Sequence, residues 1–433
     1  MPASSFSCPA YEGPAYEWVH KIRSENINSS VTCHFRRPLL IHCGHMQWLF
    51  DDRGNRYLDL FGGICTVSVG HCHPKVAETL EKQARTLWHT SNIYMHPKIH
   101  EYAYQLTQKL PKHLNVVYFV NSGSEANDLA MTLARQYTTS LDIISIRNCY
   151  HGASPPTIAL CGHSTWKPKN SISSNIIHVT NPDPYQGQWG GYRDSPTQSL
   201  RASESEVNKD GVCSSADKYL ESLREVLHYS VNDGRPAAFF AESIQGVGGT
   251  VQFPLGYLKK AFALVKEHGG VCISDEVQTG FGRTGTHFWG FEGHGLTPDI
   301  VTMAKGMGNG FPLAAVVTTP EIAKSLGQTL HFNTFGGNPL SCSVGLSVLE
   351  ALEEDKSQEN SLNIGTYFMK ELEKLRSEFE IVGDVRGKGL MIGIELVEDK
   401  SSRKPLNSQT MGDIYEECKN EGVLYGKGGR YGN

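Results

Sequence analysis

An aspartate and a lysine stand at the ends of two short apolar runs in the second half of the chain. The run Val271–Ser274 is followed by Asp275, and the run Ile300–Met303 is followed closely by Lys305. Runs of this length and β-branched character are typical of buried strands. In α/β proteins, ligands bind at the carboxyl ends of the strands of a parallel sheet. We therefore expect Asp275 and Lys305 to lie at the same edge of one sheet.

The two side chains have complementary chemistry. An amine that attacks a carbonyl group needs a lowered pKa, which partial burial at a strand end provides for a lysine. A carboxylate beside it keeps a pyridine nitrogen protonated, so that the ring withdraws electrons from a bound substrate. The sequence thus predicts a pyridoxal-phosphate site, with Lys305 as the Schiff-base residue and catalytic base and Asp275 as the partner of the ring nitrogen.

A regular alternation of strands and crossovers surrounds these residues. From Val116 onward, segments long enough for helices or loops separate most of six β-rich runs, which are VVYFVN, DIISIRN, AAFFAES, GGVCIS, DIVTMA and LAAVVTT. This pattern predicts an α/β fold with a mostly parallel central sheet and helices on both faces. The Ser-rich stretch Thr197–Ala216 is weakly patterned and is predicted to be a surface insertion.

The two ends of the chain have different patterns. Apolar runs that alternate with turns between Leu39 and Leu60 predict a small antiparallel meander, and Pro74 is expected to begin a helix over Lys75–Leu87. Near the other end, the pattern predicts two helices, a strand pair and a last helix, with the helices over residues 340–353, 360–378 and about 409–421. We predict an N-terminal segment, a large cofactor-binding domain and a small α/β domain, over residues 1–75, 76–338 and 339–433.

Small residues close the first strand of the alternating region and open a helix in the run Asn121-Ser122-Gly123-Ser124. Small side chains let the backbone approach an anion, and the N–H groups and dipole at a helix N-terminus favour a phosphate. An ordinary helix cap is the alternative, because serine is among the preferred N-cap residues. On the residues alone, both interpretations stay open for Ser122, Gly123 and Ser124.

Two other motifs fit their usual ligands poorly. Residues 280–285 have the spacing G-x-G-x-x-G after a predicted strand, but a dinucleotide fingerprint must also open a helix. The continuation THFWGFEGHG has no helical period, so we predict a loop. His71, Cys72 and His73 lack a second pair of ligands and make a poor zinc site, so we predict a structural role there and no metal.

Composition excludes several classes of partner. The 433 residues include 40 Lys and Arg against 45 Asp and Glu, which gives a formal net charge of −5. This balance is not that of a nucleic-acid or membrane-surface binder, and no apolar run is long enough to span a bilayer. The eleven cysteines contain no C-x-x-C pair and are expected to be reduced thiols.

The motifs resemble those of the class III pyridoxal-phosphate-dependent aminotransferases, a family of fold type I. The similarity extends from about residue 39 to 426 and includes NSGSEAN, FFAESIQG, DEVQTGFGRTG, PDIVTMAKGMGNGFP, HFNTFGGNP and EIVGDVRGKGLMIGIEL. The resemblance implies that Gly123 and Ser124 bind the cofactor phosphate. It also implies that Tyr150 stacks on the cofactor ring with His151 nearby, and that Glu242 lies beside the substrate. Gln278 would donate a hydrogen bond to the cofactor's phenolic oxygen, and Thr334 would contact the phosphate in a neighbouring subunit.

Within the family, the resemblance implies transfer of an amino group from L-alanine, or from β-amino acids such as β-aminoisobutyrate, to glyoxylate or pyruvate in a homodimer or a dimer of dimers. A phospho-lyase acting on ethanolamine phosphate or a phosphorylated lysine is a second hypothesis, because such enzymes share the scaffold. A third is a truncated chain without turnover, since family members continue past LYGKGGRYGN into a strand that carries an arginine for the substrate. Arg283 and Arg430 are candidate substitutes, although neither matches the motif.

The resemblance also implies a mitochondrial location. The first twenty residues contain no Lys or Arg and no apolar core, so they resemble neither a transit peptide nor a secretory signal. The cytoplasm is therefore the alternative expectation.

Overall fold

The structure, a computed structural model, describes residues 6–30, 33–169, 175–189, 214–327 and 330–433. Most of the predicted insertion at Thr197–Ala216 lies outside the described residues, and its last residues begin the helix Ser214–Tyr229. In these ranges, no helix is both long enough and apolar enough to cross a membrane.

A mixed β-sheet forms the centre of the fold. Within the described residues it has seven strands, which are Val116–Val120 (β4), Ile143–Ile146 (β5), Ile176–Val179 (β6), Ala238–Glu242 (β7), Val271–Asp275 (β8), Ile300–Met303 (β9) and Ala314–Thr318 (β10). Their order in the sheet is β4-β10-β9-β8-β7-β5-β6. Strands β5 to β9 are parallel to one another, whereas β10 is antiparallel to both of its neighbours, β9 and β4. The sequence pattern missed β6, because His178 interrupts its short apolar run.

Helices cover both faces of the sheet. Phe240 of β7 packs in one apolar cluster with the helix Gly123–Thr138. The preceding Phe239 points to the other face and packs with the helices Ser214–Tyr229 and Tyr257–Glu267. The predicted α/β class is therefore confirmed. Further α-helices that the structure describes between residues 74 and 354 are Pro74–Ala84, Pro97–Thr107, Pro155–Leu160, Pro320–Ser325 and Pro339–Glu354.

A smaller sheet contains the predicted meander. Its antiparallel strands are Ile41–His45 (β1), Trp48–Asp51 (β2) and Arg56–Asp59 (β3), after a helix at Tyr16–Asn26. The sheet has an additional parallel strand, since residues 423–424 near the chain's end pair with β3. The N-terminal meander and the C-terminal region are thus joined by hydrogen bonds, and the proposed boundaries at residues 75 and 338 stay a prediction.

The C-terminal region has the predicted α/β pattern. A helix over Ser357–Glu378 precedes the antiparallel pair Val382–Lys388 (β11) and Met391–Leu396 (β12), and a last helix spans Ser408–Asn420 before Val423–Leu424 (β13). The apolar residues of the helix Ser357–Glu378 and of the pair β11 and β12 form a separate cluster that includes Met369, Leu372 and Val385.

The two poorly fitting motifs have other structural roles. Residues 280–285 lie in turns and do not open a helix. The Nε2 atom of His71 lies 2.7 Å from Asp59, and that of His73 lies 3.0 Å from Asp355. In the part of the chain that the structure describes, no group of three or more His, Cys, Asp or Glu residues could hold a metal ion.

Candidate active site

The carboxyl ends of adjacent strands bring four of the predicted site residues to one edge of the sheet. Tyr150 follows β5, Glu242 ends β7, Asp275 ends β8, and Lys305 follows β9 by two residues. Glu242 and Asp275 are register partners in the parallel pair of β7 and β8. The structure thus places Asp275 and Lys305 at the same edge, where α/β folds bind ligands.

Asp275 is fixed by three hydrogen bonds. Its Oδ2 accepts from the Nδ1 of His151 at 2.7 Å and from the Nδ2 of Asn127 at 2.8 Å. Its Oδ1 accepts from the backbone N–H of Val277 at 3.0 Å. Since a carboxylate oxygen has two lone pairs, Oδ1 can accept one further hydrogen bond. The carboxylate is therefore held in place with one acceptor position to offer a ligand.

His151 is held in its imidazolium form beside Asp275. His151 is 2% exposed, and burial by itself disfavours its imidazolium form. The Cys149 sulfur and the hydrogen-bonded Asp275 carboxylate outweigh this effect, so the pKa of His151 is raised well above its ordinary value. An imidazolium at this position makes a charge-assisted hydrogen bond to Asp275, which holds the carboxyl group in place.

Glu242 titrates near neutral pH in this structure. Its Oε1 accepts from the N–H of Tyr150 at 3.1 Å, and its Oε2 accepts from that of Gly246 at 2.8 Å. Burial raises the pKa of Glu242 to about 7, with the nearby Asp275 acting in the same direction. A carboxyl group with such a pKa can hold or release a proton under physiological conditions.

Lys305 combines an unusual backbone with a lowered pKa. Its φ of +47° lies in the left-handed region, which non-glycine residues seldom adopt and which is concentrated at functional sites. Burial lowers the pKa of Lys305, and the Arg283 guanidinium lowers it further, against the opposing effects of Cys65, Asp275 and Glu242. More of the amine is therefore neutral and nucleophilic than in an exposed lysine.

At the predicted phosphate loop, the structure shows the helix cap, and the phosphate-binding role stays a prediction. Ser122 caps the helix Gly123–Thr138, since its Oγ accepts from the N–H of Glu125 at 3.2 Å. The N–H groups of Gly123 and Ser124 are in the first helical turn and have no partner within the helix. Gly152 packs so closely here that a Cβ on it would lie 2.5 Å from Ser124 Oγ. The loop can therefore form an anion cradle while Ser122 serves as the cap.

The other predicted site residues, Tyr150, Gln278 and Thr334, have different surroundings in the structure. The Tyr150 ring is half-buried and contacts Trp166, with the ring centroids 5.2 Å apart. Gln278 lies against Gly246, on which a Cβ would come within 1.9 Å of the Gln278 Oε1, so it adjoins the loop that binds Glu242. Thr334 is exposed, while its neighbour Asn333 donates to Glu125 at 2.9 Å.

Sequence reasoning did not identify Asn127. This residue is 1% exposed and donates to both Asp275 and the carbonyl of His151, each at 2.8 Å. It lies in the interior of the helix Gly123–Thr138, between the buried residues Ala126 and Leu129. A polar side chain on the apolar face of a predicted helix was the available signal, because buried polar groups need partners.

The chain matches the family model described as "Aminotransferase class-III" over residues 34–431. The chain belongs to the class III aminotransferases. The predicted family and enzyme class are thus confirmed. This class III aminotransferase is 53% identical over 431 residues to "Alanine--glyoxylate aminotransferase 2, mitochondrial" of Homo sapiens, an alignment that covers 99% of this chain and 83% of that protein.

Solved structures of similar fold include enzymes of two activities. An (S)-enantioselective omega-transaminase from Thermomicrobium roseum has a TM-score of 0.84 and 30% identity, over 96% of this aminotransferase and 92% of that chain. A phospholyase from Arthrobacter in complex with phosphoethanolamine has a TM-score of 0.81 and 30% identity, over 96% and 93% of the two chains. Membership of the class III family implies small-molecule substrates and a pyridoxal-phosphate cofactor.

Proposed function

We propose that this aminotransferase transfers the amino group of L-alanine, or of a β-amino acid such as β-aminoisobutyrate, to glyoxylate or pyruvate, with pyridoxal phosphate as cofactor. The substrates are proposed from the 53% identity to the human protein named for alanine and glyoxylate. The observation that carries the cofactor proposal is the meeting of Lys305 and Asp275 at the ends of β9 and β8. An amine of lowered pKa thus lies near a fixed carboxylate.

The residues at this edge fit each part of the cofactor. The helix start at Gly123 and Ser124 offers backbone N–H groups to a phosphate, and the free acceptor position on Asp275 Oδ1 suits a protonated ring nitrogen. Tyr150 offers an aromatic surface beside them, and Lys305 offers the amine for an aldehyde. Ser122, His151 and Asn127 support these groups through the hydrogen bonds that hold the loop and Asp275.

The protein's own groups then divide the work of transamination. Bound pyridoxal phosphate would supply a conjugated ring that withdraws electrons from the substrate Cα. Lys305 would bind the cofactor and, once displaced by substrate, would move a proton at that Cα. Asp275 would keep the ring nitrogen protonated, and Gln278 would donate a hydrogen bond to the phenolic oxygen. Glu242 would lie beside the bound substrate.

A visible absorption spectrum of the purified protein tests this proposal. Addition of pyridoxal phosphate should give a band of bound cofactor that disappears with L-alanine and returns with glyoxylate. The Lys305→Ala variant should lose turnover of alanine, while the Lys324→Ala variant, changed in a helix outside the site, should keep it. A wild-type protein without any cofactor band, or a Lys305→Ala variant with native turnover, would contradict the proposal.

A phospho-lyase acting on ethanolamine phosphate is the second candidate. The similarity to the Arthrobacter phospholyase, with a TM-score of 0.81, favours it. The two activities use the same cofactor and differ in the product that is released. Inorganic phosphate formed from ethanolamine phosphate, with no change of the cofactor band on addition of alanine and glyoxylate, would select the lyase.

A homodimer, or a dimer of dimers, is the proposed working unit. Thr334 is exposed, and the adjacent Asn333 is anchored to Glu125 at the phosphate loop. In a dimer formed through this surface, Thr334 of one chain would lie near the active site of the other chain. We also propose a mitochondrial location, from the printed name of the human relative, with the cytoplasm as the alternative that subcellular fractionation would detect.

A further inference from the structure

Two cysteines meet where the leading segment of the described chain (residues 6–12) lies along strand β1. Cys8 belongs to this segment, and Cys43 is the middle residue of β1. Their thiols are close enough to form a hydrogen bond with each other, and both residues are partly exposed. The Sγ of Cys8 also lies 3.5 Å from the Nε2 of His42. Two free thiols and an imidazole are thus in contact at one surface site.

Aromatic contacts on both sides of Cys8 hold the leading segment against β1. The Phe6 ring stacks on that of His45, with the ring centroids 4.2 Å apart and the ring planes within 5° of parallel. Further along the segment, the Tyr11 ring contacts that of His42, with the centroids 5.3 Å apart. The segment therefore runs antiparallel to β1. The two cysteines are placed opposite each other by packing that does not depend on a bond between them.

A bulge in β1 explains why two consecutive residues contact the leading segment. Side chains normally alternate between the two faces of a strand, so His42 and Cys43 would point in opposite directions. The register with β2 shifts between Ile41 and Cys43, and a bulge of this kind re-aims a side chain. The His42 imidazole thus lies beside the Cys8 sulfur, where it can accept the thiol proton.

We propose that Cys8 and Cys43 are a redox modification site, which closes to an intrachain disulfide when a small-molecule disulfide such as glutathione disulfide is in excess. This inference goes beyond the proposed transamination and does not depend on it. Cysteines that respond to oxidants are accessible and have a second thiol beside them to resolve the first product. This pair has both properties, whereas Cys272 and Cys342 are buried.

The exchange takes place in two balanced steps. The Nε2 of His42 accepts the Cys8 proton, and the Cys8 thiolate attacks glutathione disulfide, so that a mixed disulfide forms and one glutathione leaves with that proton. Cys43 then attacks the Cys8 sulfur, the bond to glutathione breaks, and the second glutathione leaves with the Cys43 proton. Two cysteine thiols are oxidised, and one glutathione disulfide is reduced to two thiols. Burial and the contact with Cys8 raise the pKa of Cys43, so Cys43 stays protonated and Cys8 attacks first.

The disulfide would restrain a weakly packed part of the chain. The helix Tyr16–Asn26 lies between the two cysteines in sequence and has no buried residue. Segments with few buried contacts open at a low cost in free energy, and a disulfide that closes such a segment into a loop restricts its open states. Amide hydrogen exchange in this helix should therefore be slower in the oxidised protein than in the reduced protein.

Peptide mapping of the unaltered protein tests the proposal. The chain is equilibrated with excess glutathione disulfide, its remaining thiols are blocked with N-ethylmaleimide, and it is digested with trypsin without reduction. Cleavage after Lys21 and Arg36 puts Cys8, Cys33 and Cys43 on three different peptides. Mass spectrometry should find most of the Cys8 peptide joined to the Cys43 peptide, and dithiothreitol should separate the two.

Cysteine variants test the order of attack. In Cys43→Ser, Cys8 should stop at the mixed disulfide with glutathione, and in Cys8→Ser the Cys43 thiol should stay largely unmodified. The control Cys33→Ser, which removes an exposed cysteine, should keep the link. Absence of the linked peptide from the unaltered protein, a link from Cys8 to Cys33, or a link between two chains on a non-reducing gel would overturn the proposal.

Discussion

The Nδ1 of His151 and the Oδ2 of Asp275 lie 2.7 Å apart, and both residues are almost fully buried. Asp275 shares this oxygen with Asn127, so the carboxylate is held from two sides. A carboxylate fixed in this way can stabilise positive charge on a bound ring without reorganising during the reaction. The pair therefore explains how an aspartate at a strand end becomes a specific partner for a ring nitrogen.

Replacing Asp275 with Asn should reduce kcat about 100-fold or more, the usual scale for losing one preorganised electrostatic group. The amide is neutral, so it would no longer favour a protonated ring nitrogen, and the visible spectrum of bound cofactor should shift. A matched control is Asp299→Asn. Asp299 directly precedes β9, at the edge of the sheet opposite to Asp275, and it accepts from the N–H of Cys272 at 2.8 Å. Equal loss of kcat in both variants would indicate a general folding defect.

The His151→Gln variant should show a smaller loss of kcat than Asp275→Asn, with a change in its pH profile. His151 acts through Asp275, to which its Nδ1 donates at 2.7 Å. Because the pKa of the buried His151 is raised well above its ordinary value, the wild type should lose activity as the pH rises through that pKa, and the variant should not show this loss, since glutamine does not titrate. A profile identical to that of the wild type would assign His151 a packing role only.

Glu242 should make the stability of the protein depend on pH. Its pKa is raised from 4.5 in the ordinary carboxyl group to about 7, so the native state binds this proton more tightly than the unfolded chain. The stabilisation is complete below about pH 4.5 and is lost as the pH rises to about 7. The loss corresponds to about 3 kcal/mol for a fully buried group.

The Glu242→Gln variant tests this dependence, because a glutamine does not ionise. Its free energy of unfolding, measured by urea titration between pH 5 and 8, should rise relative to that of the wild type as the pH increases. The lost hydrogen bond to Tyr150 or Gly246 would add an offset that is the same at every pH. A difference that stays constant across this range would contradict the raised pKa.

Gly152→Ala should destabilise the protein and weaken cofactor binding. Gly152 has a φ of +130°, and a Cβ there would lie 2.5 Å from Ser124 Oγ and 2.7 Å from Thr157 Oγ1. Relief of this overlap would move the phosphate loop, at a cost of about 1 to 3 kcal/mol. The control is Gly295→Ala, at φ +61° with no atom within 4 Å of the added carbon. The cofactor dissociation constant should change only in the first variant.

Hybrid dimers test whether Thr334 acts on a neighbouring subunit. Thr334→Ala and Lys305→Ala chains, each weakly active or inactive alone, should regain activity when refolded together. In a shared site, one of the two active sites of the hybrid would contain both Lys305 and Thr334. If Thr334 acts within its own chain, no site in the hybrid would be complete and mixing would restore nothing.

Much of the fold could be predicted from the sequence, because local patterns determine it. Six of the seven central strands that the structure describes were visible as apolar runs, and five of these six are fully buried, as strands covered on both faces need apolar residues throughout. The edge strand Ile176–Val179 was missed because His178 interrupts its short apolar run. The pairing of Val423–Leu424 with β3 was also missed, because a two-residue strand has no periodicity to detect.

The sequence by itself determined that Asp275 and Lys305 lie at strand ends, and its motifs indicated the family. Only the tertiary structure decided which groups fix Asp275, since His151 and Asn127 are 124 and 148 residues away from it. It also decided the pKa directions of Glu242 and Lys305, because burial is a property of the packed chain. The physical reason is that a residue's type sets what it can donate, accept or titrate, while its neighbours in space set what it does.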